Sequence, residues 1–401
     1  MRRTSVEPGD PSSAGRYVLP SLAIAGAAME PPGILTNLLL IEIGLTFGSP
    51  VGVTGQIRTT ASTIGILSAL AMGVLSVRFR HKHLLTVGLF AFAISALGCA
   101  VAPSFDAVFI FYSISGLAGA LVGPMTTALV GEVFPLEERS NALGTLFAVR
   151  AFTYLAGAQI IGYIGGLWGW RMAFLGFALP VSLLSMFMAM KGLPSKTNAE
   201  TQDKEEPRYT EGFKSVFTNR SAIACLFGTA FSAASWVGIL GYSSSYFRDR
   251  FLMPRSQASI LLSGAALCFM VSTYLGGRLV NRFGRKRITI TTILLLGLFT
   301  ISVTNVPSLW LAVIALLLTS VSSAVRRTAI FSLTLEQVPR FRGTMMSLNA
   351  AFYALGSALG SGVGGLVLLH YDWGSVGIVL GAIGLVAAMI IQLMAVDTTE
   401  T

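Results

Sequence analysis

The sequence predicts an all-α membrane protein, with twelve transmembrane helices arranged as two pseudo-symmetric bundles of six. Three observations predict it. Only 11% of the 401 residues are charged and 53% are hydrophobic, with a mean hydropathy of +0.72, whereas a soluble chain carries about a quarter charged residues. Apolar runs of the roughly 20 residues needed to cross hydrocarbon recur twelve times along the chain. Finally, one spacing repeats. The basic segments Gly73–Lys82 and Gly277–Lys286 lie 204 residues apart, and the same offset carries Glu132 onto Glu336 and Pro135 onto Pro339. Three landmarks at one spacing describe a membrane-embedded half written twice.

In order, the spans are expected near 17–43, 50–76, 84–102, 107–131, 141–165, 170–190, 221–246, 256–279, 287–304, 308–335, 343–369 and 375–395. Residues 1–16 form a polar tail leading into a span too long for a signal peptide's apolar core. Residues 17–190 make the first bundle and 221–395 the second, with 396–401 as a tail. Residues 191–220, polar and containing Lys204-Glu205-Glu206-Pro207, are the linker between them. Ser49-Pro50 supplies a cap and a first-turn proline for the second span. The turns Pro103–Asp106 and Asn305–Ser308 are equivalents in the two halves. If the N-terminus is cytoplasmic, 20 of the 28 Lys and Arg fall in tails and cytoplasmic loops. That bias places both termini in the cytoplasm and the chain in the cell (inner) membrane. It also assigns the +10 net charge to topology rather than to nucleic acid.

Two anomalies interrupt the apolar runs. Met29-Glu30-Pro31-Pro32-Gly33 places two prolines within the first span, where the helix must kink or break and free carbonyls near Ala27 and Ala28. Glu30 sits beside that break, about ten residues or ~15 Å into the span. A carboxylate at that depth is expensive to retain, so Glu30 is the expected proton-coupling residue, with a packing kink as the alternative. The second anomaly is four arginines within spans: Arg58, Arg150, Arg326 and Arg327. Each costs at least ~2.5–3.5 kcal/mol at mid-span, which is offset by facing a wet cavity or a carboxylate, or by snorkelling for Arg326 and Arg327. Adjacent helical positions diverge by about 100°, so only one of that pair can point straight inward. One acid against four guanidiniums leaves the predicted cavity positive and favours an anionic solute, because the guanidinium fork matches carboxylate and phosphate oxygens. Asn37, Tyr154, Gln159 and Trp236 are candidate hydrogen-bonding or aromatic wall residues, with helix packing as the alternative.

The segment Gly277-Arg-Leu-Val-Asn-Arg-Phe-Gly-Arg-Lys286 resembles the signature loop of the major facilitator superfamily, G-x-x-x-D-R-x-G-R-K. Gly-Leu-Ala-Gly-Ala-Leu-Val-Gly-Pro (116–124) and Gly-Trp-Arg-Met-Ala-Phe (169–174) are also similar to that family, so the resemblance covers both halves. It implies the twelve-helix fold and alternating access about one central site. It also assigns gating to the loops carrying Gly73, Arg78, Arg139, Gly277, Asn281, Arg282, Gly284, Arg285 and Arg342. The departures are specific. The loop acid is Asn281 in the second copy and Val77 in the first, where Arg80 replaces the glycine and His81 an arginine. Arg139 and Arg342 are therefore expected to lean on Glu132, Glu138 or Glu336 instead. Drug–proton antiporters of the family carry an acid near the position of Glu30. Their helix-4 arginine is Tyr112 here, however, and their helix-5 motif is reduced to Gly157–Gly162 without proline.

The function expected is secondary active transport of a small solute, an organic anion by the arginine count, with possible coupling to protons. The alternatives are a proton-coupled multidrug or sugar efflux transporter, and a non-translocating receptor of transporter fold. No enzymatic chemistry is expected: His81, His83 and His370 are not grouped with acids, and no phosphate-binding loop motif is present. No cofactor or metal is expected, and Cys99, Cys225 and Cys268 are assigned to packing. A monomer surrounded by lipid is the expected state.

Overall fold

The computed structural model describes residues 11–134, 136–194 and 209–397, and among them every regular element is helical. The first half comprises α1 (Pro11–Ala27), α2 (Pro31–Phe47), α3 (Val51–Thr54), α4 (Gln56–Arg78), α5 (His81–Val101), α6 (Phe105–Val133), α7 (Leu136–Trp168), α8 (Trp170–Ala173) and α9 (Leu179–Gly192). A π-helical turn, Phe174–Ala178, joins α8 to α9. The second half comprises α10 (Tyr209–Thr218), α11 (Arg220–Arg250), α12 (Arg255–Phe283), α13 (Arg285–Asn305), α14 (Leu309–Leu335), α15 (Arg342–His370) and α16 (Trp373–Met394). Eleven helical stretches among the described residues are long and apolar enough to cross a membrane. The 23-residue α4, several of whose side chains lie outside the described set, is a further long helix in the same bundle. Pro135, tail residues 1–10 and 398–401, and linker residues 195–208 with their Lys204–Pro207 run lie outside the described residues.

The neighbour pattern repeats between halves. α5 packs on α6 and α9, as α13 packs on α14 and α16; α4 packs on α6, as α12 packs on α14. Each half holds two buried apolar clusters, while large apolar residues such as Phe90, Phe187, Leu298 and Trp310 face outward. An apolar exterior is what a lipid solvent requires.

The predicted first span is two helices, α1 and α2, as the proline pair requires. Within the predicted linker, α10 covers Tyr209–Thr218 and seats Val216 against the second half. Residues 396 and 397 of the predicted tail are docked. The Val396 amide donates to Ser221 Oγ at 2.8 Å, and the Lys286 amide to Asp397 Oδ2 at 3.1 Å.

Two interfaces join the halves, α4 with α15 and α7 with α12, and α2 also packs on α11. The glycines of α15 serve both sides. A Cβ at Gly356 or Gly360 would collide with the Ala230 and Ala234 carbonyls of α11, whereas one at Gly365 would meet Gln56 and Gly52 of the first half. The polar contacts between halves lie toward the face opposite the termini. Gln56 Nε2 donates to the Gly362 carbonyl at 3.1 Å, Ser62 and Ser357 hydroxyls meet at 3.2 Å, and Gln159 Nε2 donates to Ser263 Oγ at 2.7 Å. At the face carrying the termini, His81 pairs with Glu132 inside the first half and Arg285 with Glu336 inside the second, the latter at 3.8 Å. Among the described residues the molecule is thus latched by polar contacts at one face, while the ion pairs of the other face stay within each half.

Candidate functional site

At the proline break, the first helix closes with tight turns. The Met29 amide donates to the Gly26 carbonyl at 3.2 Å and the Glu30 amide to the Ala27 carbonyl at 3.1 Å. The Ala27 carbonyl, predicted to be free, is therefore occupied: a one-turn tightening lets the Glu30 amide replace the donor that Pro31 lacks. One turn further on, the Tyr112 hydroxyl donates to the Pro32 carbonyl at 3.0 Å and lies 3.2 Å from Thr36 Oγ1. Tyr112, standing where drug exporters carry an arginine, thus helps to hold the broken helix.

Glu30 and Arg150 meet across α1–α2 and α7. Arg150 Nε donates to Glu30 Oε1 at 2.7 Å, with side chains 28% and 18% exposed. Gly26 lies against the Arg150 stem, where a Cβ would make ordinary contact with Arg150 Cδ at 3.5 Å. Beside the pair, Asn37 Nδ2 donates to the Tyr154 hydroxyl at 2.9 Å, and Glu30 and Arg58 both lie within electrostatic reach of that hydroxyl.

The other three arginines have no carboxylate partner among the described residues. Arg58 reaches across the interface, donating Nη2 to the Val237 carbonyl of α11 at 3.2 Å, while its buried Nη1 has no acceptor. Its guanidinium occupies a notch that only glycine leaves open, because a Cβ on Gly241 would overlap it. Arg326 is 1% exposed in the second half, donates Nη1 to Ser232 Oγ at 2.7 Å and leaves Nε without an acceptor. Its neighbour Arg327 is exposed and sits over the Tyr353 ring at 5.7 Å. The adjacent pair therefore splits, one inward and one outward, as the 100° turn between them requires.

The remaining candidates are packing or interface groups in this conformation. Trp236 stacks on Phe269 with ring centroids 5.8 Å apart. Gln159 binds Ser263 and Ser259 of α12 rather than standing free. In the signature loop, Gly284 ends α12 at φ +86°, a backbone region favouring glycine, while Asn281 is exposed and Arg282 stacks over Phe283 at 5.2 Å. Gly277 lies on α12 with open space where a Cβ would stand. Gly73 and Arg78 lie on α4 and Arg342 begins α15, with side chains outside the described set. Arg139 corrects its expectation: it binds no carboxylate among the described residues. Its Nε donates to the Phe134 carbonyl at 3.0 Å and its Nη2 to the Gly131 carbonyl at 2.5 Å, capping the end of its own loop's preceding helix. Two of the three carboxylates offered to it are engaged elsewhere, Glu132 by His81 and Glu336 by Arg285.

One group escaped sequence reasoning. Glu42, on α2 with its side chain 12% exposed, accepts from both halves of the Arg248 fork at 3.0 and 2.6 Å and from Arg255 Nε at 2.8 Å. Arg248 Nη1 also reaches the Leu38 carbonyl at 3.2 Å, where α2 is kinked at Leu39, and Arg255 binds the Gly165 carbonyl. One carboxylate of the first half thereby holds two arginines of the second. A second acid in the first span, facing a cluster of basic residues after the seventh, was the available signal. It was obscured because Arg248 and Arg255 fall just outside the expected spans 221–246 and 256–279, whereas α11 and α12 carry them on helical ends.

Comparison with known proteins places this geometry. The sequence profile described as Major Facilitator Superfamily matches residues 22–254 and 225–400. Multidrug resistance protein 2 of Bacillus subtilis (strain 168) is 24% identical, over 86% of this chain and 91% of that protein. A probable sugar efflux transporter of Pasteurella multocida (strain Pm70) is 23% identical, over 93% of this chain and 91% of its own length. The crystal structure of a D-xylose–proton symporter superposes with a TM-score of 0.82 at 16% identity, covering 97% of this chain and all of that one.

Proposed function

The chain belongs to the major facilitator superfamily, and from that membership we propose that it carries a small organic anion across the membrane by alternating access of its two halves. The carrying observation is the uncompensated charge inside the bundle. Glu30 offsets Arg150, but Arg58 and Arg326 have no carboxylate partner among the described residues, and each holds a buried donor without an acceptor. A buried guanidinium without a partner is costly, and an anionic solute would supply both charge and acceptors. With the termini in the cytoplasm, as the basic-residue bias favours, the latched face is external and this conformation opens inward. A membrane-impermeant thiol reagent should then modify a cysteine at Ser308 and spare one at Ser195 in sealed cells. The Glu30–Arg150 pair at the helix break is the proposed proton-coupling element.

Equilibrium binding of matched anionic and cationic ligands tests the anion reading. Anions should bind, Arg58→Lys should weaken them because the planar fork is lost, and Arg58→Ala should weaken them further. Preferential binding of cations that survives both substitutions would refute it. A second reading, proton-coupled efflux of drugs or sugars, draws on two findings: the internal neutralisation of Arg150 at 2.7 Å and relatives named for those activities. The same matched-ligand assay separates the two.

A further inference from the structure

Away from the interface between halves, the end of α5 and the end of α9 enclose a cavity of about 420 Å³. Among the described residues its lining is Arg80, Lys82, His83, Thr86, Val87 and Met190, three of them basic and none acidic. Lys82 builds the junction: its Nζ donates to the Met190 carbonyl at 3.0 Å and the Leu193 carbonyl at 2.6 Å, tying α5 to the last turn of α9. An ammonium carries three donors, so one remains for a ligand. His81, which precedes it, is turned away to Glu132.

The surroundings of the cavity narrow the class of ligand. His83, Val87, Phe90, Ile94 and Leu97 follow one another at spacings of four, three, four and three along α5, and all are exposed. They form one stripe of the helix, with its basic member at the cavity and its apolar members running toward the membrane interior. On α9, Leu184, Phe187 and Met190 are likewise exposed, 52%, 60% and 54%. Neither element borders the other half: α5 packs on α6, α8 and α9, all within its own half. A basic cup at the head of an apolar surface that faces lipid is poorly shaped for a transported solute. It is complementary to a phosphate diester whose acyl chains lie along the helices.

We propose that this cavity is a binding site for the phosphate headgroup of an anionic glycerophospholipid of the surrounding bilayer. Arg80 and Lys82 supply charge, His83 supplies a ring donor, and the α5 stripe with Leu184 and Phe187 receives the acyl chains. The site touches neither the arginines of the core nor the described contacts between halves, although Arg80 and Lys82 belong to the first copy of the signature loop.

Native mass spectrometry and thermal-shift titration of the full chain in detergent test it, with phosphatidylglycerol, phosphatidylcholine and inorganic phosphate as separate probes. Phosphatidylglycerol should be retained and should raise the melting temperature, and phosphatidylcholine should do neither. Arg80→Gln should lower retention about five-fold, the worth of one basic side chain at an anionic surface, and Arg80→Gln/His83→Gln should lower it further. His83→Gln alone, at an exposed position, tests the cavity should the double variant fold poorly. Arg287→Gln, an exposed basic residue in the second half, removes the same charge and should leave retention unchanged. Equal loss in Arg287→Gln, or no loss in His83→Gln and the double variant, would overturn the site. Stabilisation by inorganic phosphate equal to that by the lipid would overturn the lipid assignment in favour of a free anion.

Discussion

Arg150 and Arg326 are both held deep in the bundle, one in each half, and their charges are handled differently. Arg150, on α7, faces the break between α1 and α2, a quarter exposed, with Glu30 at 2.7 Å. Arg326 lies in the unbroken α14, 1% exposed, with a serine hydroxyl and no carboxylate. Arg150 is neutralised within its own half, whereas Arg326 has no carboxylate among the described residues. The proposed roles follow this difference: the closed pair is the proposed proton-coupling element, and the open guanidinium is a proposed anion contact.

The largest effect should come from the open arginine. Arg326→Ala should weaken an anionic solute by about 2–5 kcal/mol, the range for a desolvated charged contact, and Arg326→Lys should recover only part because the fork is lost. Equilibrium binding measures this, and wild-type affinity in Arg326→Ala would reduce Arg326 to a packing residue. Next is the closed pair. Glu30→Gln leaves Arg150 without its partner and should destabilise the protein by about 1–3 kcal/mol, below the 3–5 typical of fully buried pairs because both side chains are partly exposed. Glu30→Gln/Arg150→Gln should restore much of the loss in thermal unfolding. In proteoliposomes, Glu30→Gln should abolish accumulation against a gradient while sparing exchange; full pH-driven uptake would move the proton site elsewhere.

Two smaller effects concern the two faces. Glu42→Gln removes the charge holding Arg248 and Arg255. Spin labels at Ser104 and Tyr371, one on each half at the latched face, should then show a longer-distance population. An unchanged distribution would mean that the helix packing alone keeps that face closed. Arg139→Ala should have the least effect on inter-half distances, since its hydrogen bonds go to carbonyls of its own half. A shift as large as that of Glu42→Gln would restore Arg139 to the gate.

The sequence by itself determined the solvent, the repeat and the break. Few charges and span-length apolar runs leave a long chain no stable arrangement but helices in lipid. The 204-residue offset carries the pairing of halves, and Pro31-Pro32 cannot continue a helix, so α1 must end near Ala27. These are local or periodic properties, legible residue by residue. Only the tertiary structure decided which charges meet. Glu30 and Arg150 lie 120 positions apart and Glu42 and Arg248 206, and nothing in either neighbourhood specifies the partner. The same holds for Arg139, two of whose three predicted carboxylates, Glu132 and Glu336, are engaged by His81 and Arg285. An ion pair is a property of distance in space, and in this chain helix packing, not sequence spacing, sets that distance.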